Sequence, residues 1–234
     1  MNKQPLILDD DQVLMFARPK RFSLIIFDLD GTLVDSRVDI VSSINHMLGG
    51  LDLEKKSFEE ITSYIGFGVE KLVSDVLGPR HRNKWKRGLR IFNRYYMAHL
   101  YDNTILYPGV RNILKYLDRH KINIALLSNR QRGSTMALLR YFKIDKYFDT
   151  VLGGDNNDCM KPSACPVLNV LKTLKSEPDA ALIVGDSYLD VQSGKRSGIA
   201  SCGVTYGIGK ARDIKRFRPD YIIDNILELK RIVQ

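Results

Sequence analysis

Asp28 and Asp30 stand two residues apart at the end of an apolar run, Phe22 to Phe27, and are followed at once by Gly31 and Thr32. Two carboxylates this close repel each other unless positive charge lies beside them. A hard cation such as Mg²⁺ meets that need, because it takes one or two carboxylates together with water and phosphate oxygens. Gly31 lets the backbone turn tightly and come close to a ligand. Further along, Ser128 and Asn129 offer small hydrogen-bonding groups suited to phosphate oxygens. Lys161, just before Pro162, can neutralise phosphate or carboxylate charge, and Asp186 and Asp190 add two more carboxylates four residues apart.

These residues need elements that bring them together, and the flanking sequence supplies candidates. Phe22 to Phe27, Ile122 to Leu127 and Ala180 to Val184 are short apolar runs with almost no polar face, the pattern of strands buried in a parallel sheet. Each ends in one of the polar groups above. In open α/β sheets ligands sit beyond the carboxyl ends of the strands, where Asp28, Asp30, Ser128, Asn129 and Asp186 fall. Lys161 lies in a Gly- and Asn-rich stretch from Gly153 that reads as loop. Each position also has a plainer reading. An isolated Asp-x-Asp is a turn or helix cap, Ser128 and Asn129 would cap a helix over Arg132 to Phe142, Lys161 would be a surface lysine, and Asp190 would favour the start of its helix.

Taken in order, the four segments resemble the motifs of the haloacid dehalogenase-like (HAD) superfamily of phosphohydrolases, over about residues 22 to 209. The resemblance implies an α/β fold, a doubly wound parallel sheet (the Rossmann-like HAD core) with an inserted helical cap. It implies that Asp28 is the nucleophile and forms an aspartyl-phosphate, a role carboxylates fill in phosphoryl transfer. Asp30 would protonate the leaving oxygen and then deprotonate the attacking water. The implied metal ligands are the Asp28 carboxylate, the Asp30 backbone carbonyl and Asp186, with Asp190 orienting its neighbours from behind. Ser128, Asn129 and Lys161 would bind the transferring phosphoryl group. The cofactor expected is Mg²⁺.

Between the first motif and the turn at Tyr107, Pro108 and Gly109 the pattern turns helical, and residues 36–105 are expected to form the cap. Residues 1–20 read as an N-terminal extension, and 21–35 with 106–234 as the core. Four helices fit the insertion: Ser57 to Glu60 spells a capping box, Val69 to Leu77 is amphipathic, and Lys84 to Leu100 reads as one long helix. Gly66, Phe67 and Gly68 resemble the substrate-facing loop of phosphoglycolate phosphatases, although two glycines also suit a plain helix-helix turn. Gly153 to Asp155 and Gly198 to Gly207 share that likeness. Arg130 departs from it, since many relatives carry Lys after Ser/Thr-Asn, and Ala164 stands where proline is commoner.

The 234 residues suit one core carrying one inserted module. The first 20 lack the basic start and long apolar stretch of a signal peptide, and no run approaches the roughly 18 apolar residues of a membrane span. A soluble, cytoplasmic protein is expected. Cys159, Cys165 and Cys202 have neither zinc-site spacing nor an even count, so reduced thiols are expected. The net charge of +9, with basic residues around Trp85, raises nucleic acid as a partner. A basic surface equally attracts small anions, and a small phosphorylated metabolite is the expected partner, with a monomer or homodimer as the assembly. The expected activity is hydrolysis of a small phosphomonoester, 2-phosphoglycolate first. A sugar-phosphate phosphatase, a pyrophosphatase or a phosphomutase would use the same two aspartates. A non-catalytic phosphate-binding regulatory module is the reading from another class.

Overall fold

The computed structural model describes residues 22–155 and 157–233, so the expected N-terminal extension lies outside the described residues. Strand β1 (Leu24–Phe27) is buried at every position, which explains why it carries no polar face. On either side of it lie β4 (Asn123–Leu127) and β6 (Ala181–Gly185). The sheet is completed by β5 (Thr150–Leu152), β7 (Ala200–Val204) and β8 (Tyr221–Ile223), in the order β5-β4-β1-β6-β7-β8, with every pair parallel. This is the doubly wound order, and the chain reverses direction across the sheet at β1.

Alternate strand residues face opposite layers. Ile25, Phe27, Ile124, Leu126, Leu182 and Val184 join one apolar cluster, whereas Leu24, Ile26, Ala125, Leu127, Ala181 and Ile183 join the other. Helix α7 (Cys165–Leu174) covers the second face through Val167, Val170 and Leu171, and α5 (Val110–Arg119) covers the first through Ile113, Leu114 and Leu117. Helices α6 (Arg132–Tyr141), α8 (Tyr188–Ser197), α9 (Ala211–Arg216) and α10 (Leu229–Ile232) complete the layers. None of the described helices is long and apolar enough to cross a membrane.

Four helices intervene between the first strand and α5: α1 (Arg37–Gly49), α2 (Phe58–Thr62), α3 (Val69–Leu77) and α4 (Trp85–Ala98). Helix α2 begins with half a capping box. Ser57 accepts from the Glu60 amide at 3.1 Å, but the Glu60 carboxylate turns to Lys56 instead of back to the cap. The long helix expected from Lys84 starts one residue later, after a 3-10 turn over Pro79–Lys84.

The chain enters and leaves these helices through a narrow neck. Strand β2 (Val34–Asp35) pairs antiparallel with β3 (Ile105–Leu106), and the Tyr107 amide adds a bond to the Leu33 carbonyl at 3.0 Å. Beside this ribbon Asp39, buried on α1, accepts from the backbone and side chains of both Asn103 and Thr104 at 2.7–3.0 Å. Thr104 is buried as well, so stripping the carboxylate leaves its amide and hydroxyl unsatisfied, whereas Asn103 is exposed. Asp39→Ala is therefore expected to lower stability by on the order of 3 kcal/mol in denaturant melts. A loss too small to measure would show that water replaces the carboxylate.

The cysteines correct one expectation. Cys159 and Cys165 form a disulfide, and of the three only Cys202 is a free, buried thiol. The loop between them folds back until their Cα atoms are 5.3 Å apart, a closeness that six-residue spacing in a loop does not announce. Lys161 sits inside that closed loop, followed by a cis peptide bond to Pro162.

Candidate active site

Asp28 follows directly on β1, its amide still bonded to the Val184 carbonyl of β6 at 2.9 Å, so its side chain is fixed by the sheet. The chain then turns back on itself at Leu29, whose carbonyl accepts from Thr32, Leu33 and Val34. Gly31 sits in this turn at φ +85°, and a Cβ there would lie 2.0 Å from a carboxylate oxygen of Asp186. The turn thus brings the end of β1 against the end of β6.

Asp186 follows β6 and is held on one side only. Its Oδ2 accepts from the Ile208 and Gly209 amides at 2.7 and 2.9 Å. Asp190 lies one helical turn on. Its Oδ2 accepts from the Ser187 hydroxyl and amide at the start of α8, and its Oδ1 accepts from Lys161 Nζ at 2.6 Å. It therefore caps its helix and serves the site at once. The same Lys161 Nζ donates to Asp28 Oδ1 at 2.6 Å, and the lysine is only 4% exposed.

Oxygens of Asp28, Asp186 and Asp190 come within 4.8 Å of one another. Both oxygens of Asp190 are occupied by donors, whereas Oδ2 of Asp28 and Oδ1 of Asp186 have no protein donor among the described residues. Oxygen donors of this kind fit a hard divalent cation. The electrostatics agree. Burial, followed by the neighbouring Asp190 carboxylate, pushes Asp186 up to about 7. Burial likewise holds Asp28 well above the usual carboxylate range, Lys161 opposing it and the Asp190 and Asp186 charges adding to it. Among the described residues, the four carboxylates Asp28, Asp30, Asp186 and Asp190 pair with two cations, Lys161 and Arg130, and a divalent ion would neutralise the remainder.

Asp30 has a different environment. Burial alone would raise it, yet the Arg130 guanidinium and the Ser36 hydroxyl together bring it below its ordinary value. Arg130 grips it at two points, Nε to Oδ2 at 2.9 Å and Nη2 to Oδ1 at 2.5 Å, while Ser36 Oγ donates to Oδ1. The third guanidinium nitrogen, Nη1, donates to the hydroxyl of Tyr96 on α4, whose ring also lies 5.1 Å from the cation.

Ser128 and Asn129 end β4 at the same rim. Ser128 Oγ accepts from the Arg130 amide at 3.2 Å. The Asn129 side chain spans three segments, donating to the Gly66 and Lys161 carbonyls and accepting from the Lys161 amide, each at 2.9 Å. It ties the loop of Gly66, Phe67 and Gly68 to the loop of Lys161. Gly68, at φ +83°, passes within 3.0 Å of the Asn129 carbonyl when given a Cβ, so the approach of the two loops needs glycine there. Phe67 lies against Tyr188 with ring centroids 6.2 Å apart.

All of these groups except Ser36 and Asp190 line one cavity of about 410 Å³. The polar floor comes from the strand ends, and an apolar wall comes from Ile65, Leu72, Phe92 and Met97 of the inserted segment. Every site residue expected from sequence thus converges on one place. Arg130, Tyr96 and Ser36 were not among them. Arg130 stood out only as a departure after Ser128-Asn129, and nothing local links Tyr96 or Ser36 to Asp30.

Residues 25–204 match the model of the haloacid dehalogenase-like hydrolases, and the chain belongs to that family. The phosphoglycolate phosphatase of Nitrosospira multiformis is 33% identical, over 92% of this chain and 97% of that protein. The phosphoglycolate phosphatase of Aquifex aeolicus is also 33% identical, over 90% and 96%. A crystal structure titled as a predicted phosphoglycolate phosphatase, from Haemophilus somnus, matches with a TM-score of 0.86 at 31% identity, covering 91% of this chain and 98% of that one. Within the family the chain is a phosphatase of the phosphoglycolate phosphatase-like branch.

Proposed function

We propose that the protein hydrolyses a small phosphomonoester, 2-phosphoglycolate first, through an aspartyl-phosphate on Asp28 and with Mg²⁺ as cofactor. The observation that carries this reading is the convergence of Asp28, Asp30, Lys161 and Asp186 on one cavity, with Asp28 Oδ2 clear of protein donors. That oxygen attacks phosphorus, and the bond from phosphorus to the leaving oxygen breaks. Asp30 gives the leaving oxygen a proton taken up from solvent. Water then attacks the phosphorylated Asp28 and passes its proton to Asp30, and the bond from phosphorus to Asp28 oxygen breaks to release phosphate. Lys161 holds Asp28 in line and balances charge on the phosphoryl oxygens. Asp186, the Asp30 carbonyl and the Asp28 oxygen not bonded to phosphorus would hold the Mg²⁺, which neutralises charge and polarises a phosphoryl oxygen when bound. Ser128 contributes a hydroxyl to the phosphoryl group, and Asn129 positions the lysine loop.

Residues 36–105 act in this reading as the cap, with Gly66, Phe67 and Gly68 presented to the substrate and the apolar wall excluding water. The relatives named phosphoglycolate phosphatase support the choice of substrate. The test is phosphate release from 2-phosphoglycolate, sugar phosphates, nucleotides and pyrophosphate, each with Mg²⁺ and with chelator. The expected result is Mg²⁺-dependent release with 2-phosphoglycolate preferred. Preference for another compound would replace the substrate, and a product isomerised instead of dephosphorylated would identify a mutase.

A further inference from the structure

Arg130 is a fully charged side chain, 7% exposed, that lines the cavity and spends its two-pronged face on Asp30. On the proposed mechanism Asp30 lies at the leaving oxygen, so whatever grips Asp30 lies where the leaving group must go. The leaving group of 2-phosphoglycolate carries a carboxylate on the same carbon that is bonded to that oxygen. This places a second anion, of the same planar shape as the Asp30 carboxyl, beside the same guanidinium. The other cations lining the cavity do not compete for it. Lys161 is committed to Asp28 and Asp190 deep in the floor, and Lys210 is exposed at the rim.

We propose that Arg130 is the receptor for the second anionic group of the substrate, exchanging its Asp30 partner for the substrate carboxylate as the complex forms. Each member of the pair keeps a hydrogen bond through the exchange. Asp30 keeps the Ser36 hydroxyl, and Arg130 keeps Tyr96, whose own hydroxyl hydrogen is free to turn to the incoming carboxylate. A guanidinium is suited to this, since its fork fits either carboxylate bidentately, whereas a lysine would meet both as a point charge. Exchange also frees the Asp30 oxygens to face the leaving oxygen. The substrate's own carboxylate therefore completes the site, and a phosphomonoester without one leaves Arg130 closed on Asp30. Tyr96 extends the device to α4, so the same contact reports occupancy to the inserted helices.

This inference rests on the proposed 2-phosphoglycolate reading, and the test separates the two. The substrates are 2-phosphoglycolate and 2-hydroxyethyl phosphate, equal in chain length but differing in the carboxylate. The ratio of their kcat/KM values is measured for the wild type, Arg130→Gln, Arg130→Lys and Tyr96→Phe, with melting curves to verify folding. Arg130→Gln should slow 2-phosphoglycolate, which loses its receptor, far more than 2-hydroxyethyl phosphate, whose turnover the closed Arg130–Asp30 pair already holds back. The ratio should thereby shrink by roughly 10- to 100-fold, as expected for losing a charged hydrogen-bonded pair, mostly through KM for 2-phosphoglycolate. Arg130→Lys, which keeps the charge and the fold, should fall between, and added guanidinium should restore 2-phosphoglycolate turnover in Arg130→Gln selectively. A preference for 2-phosphoglycolate that survives both Arg130 variants would overturn the inference alone. A wild type that does not prefer 2-phosphoglycolate would overturn the substrate reading and the inference with it.

Discussion

Asp28→Asn is expected to lower turnover by on the order of 10⁴-fold or more, while the protein folds and melts no lower than the wild type. The first half follows from chemistry. The amide keeps the shape of the carboxyl but offers no nucleophilic oxygen, so no aspartyl-phosphate forms. The second half follows from the charge balance around Lys161. In the wild type two carboxylates share this lysine, with Asp186 nearby, and Asp28 is held well above its usual range by burial despite the lysine. Removing its charge leaves Lys161 paired with Asp190 and relieves a crowded cluster. In metal-free protein at pH 8 the melting temperature should therefore rise. Residual activity near wild type would remove Asp28 as nucleophile. A large fall in melting temperature would instead show that the Asp28 carboxylate supports the fold.

The second large effect is a pH-dependent stabilisation by Mg²⁺. Asp186 is pushed up to about 7 by burial and by Asp190. A carboxyl that ionises less readily in the folded chain than in the unfolded one favours folding at low pH. That contribution is complete below about 4, the unfolded value, and is lost as pH rises through about 7. Metal-free protein should thus lose stability across this window. A cation at Asp28 and Asp186 competes with the protons and favours the ionised pair. Added Mg²⁺ is expected to raise the melting temperature by roughly 5–10 °C at pH 8 and by under about 2 °C at pH 5. Asp186→Asn should abolish the shift and raise the metal-free melting temperature at pH 8. An equal shift at both values would place the bound ion away from these carboxylates.

The parts of this architecture that sequence could announce are those set by neighbours in the chain. Leu24 to Phe27 is apolar throughout because both its faces are covered, and that pattern stops where the turn carrying Asp28 and Asp30 begins. The helix over Val69–Leu77 shows its period because one side packs and the other meets water. Asp28, Asp186 and Lys161 were legible because strand ends and a nearby loop carry them to a common edge. The Arg130 grip on Asp30 was not, since the partners are a hundred residues apart and either could have met water instead. Asn129 shows the same limit. Its residue type suits a phosphate contact, but its actual partners, Gly66 and Lys161, depend on how the inserted helices sit over the core. The disulfide escaped for a related reason, because the fold of its loop, not the cysteine spacing, brings the sulfurs together.

The neck formed by β2 and β3 has a consequence for ancestry. The chain departs at Asp35 and returns at Ile105, and these residues are partners in one two-residue ribbon. Seen from the sheet, everything between is a loop whose two ends lie about 5 Å apart, the spacing of paired strands. Any segment with adjacent ends could hang from the same ribbon without disturbing β1 or the turn after it, and lengthening such a loop adds little closure entropy. The fold is thus organised for exchange. One chemical apparatus, carried by strand ends, can acquire different coverings by transplantation at a single junction, and the covering can diversify while the apparatus stays as it is.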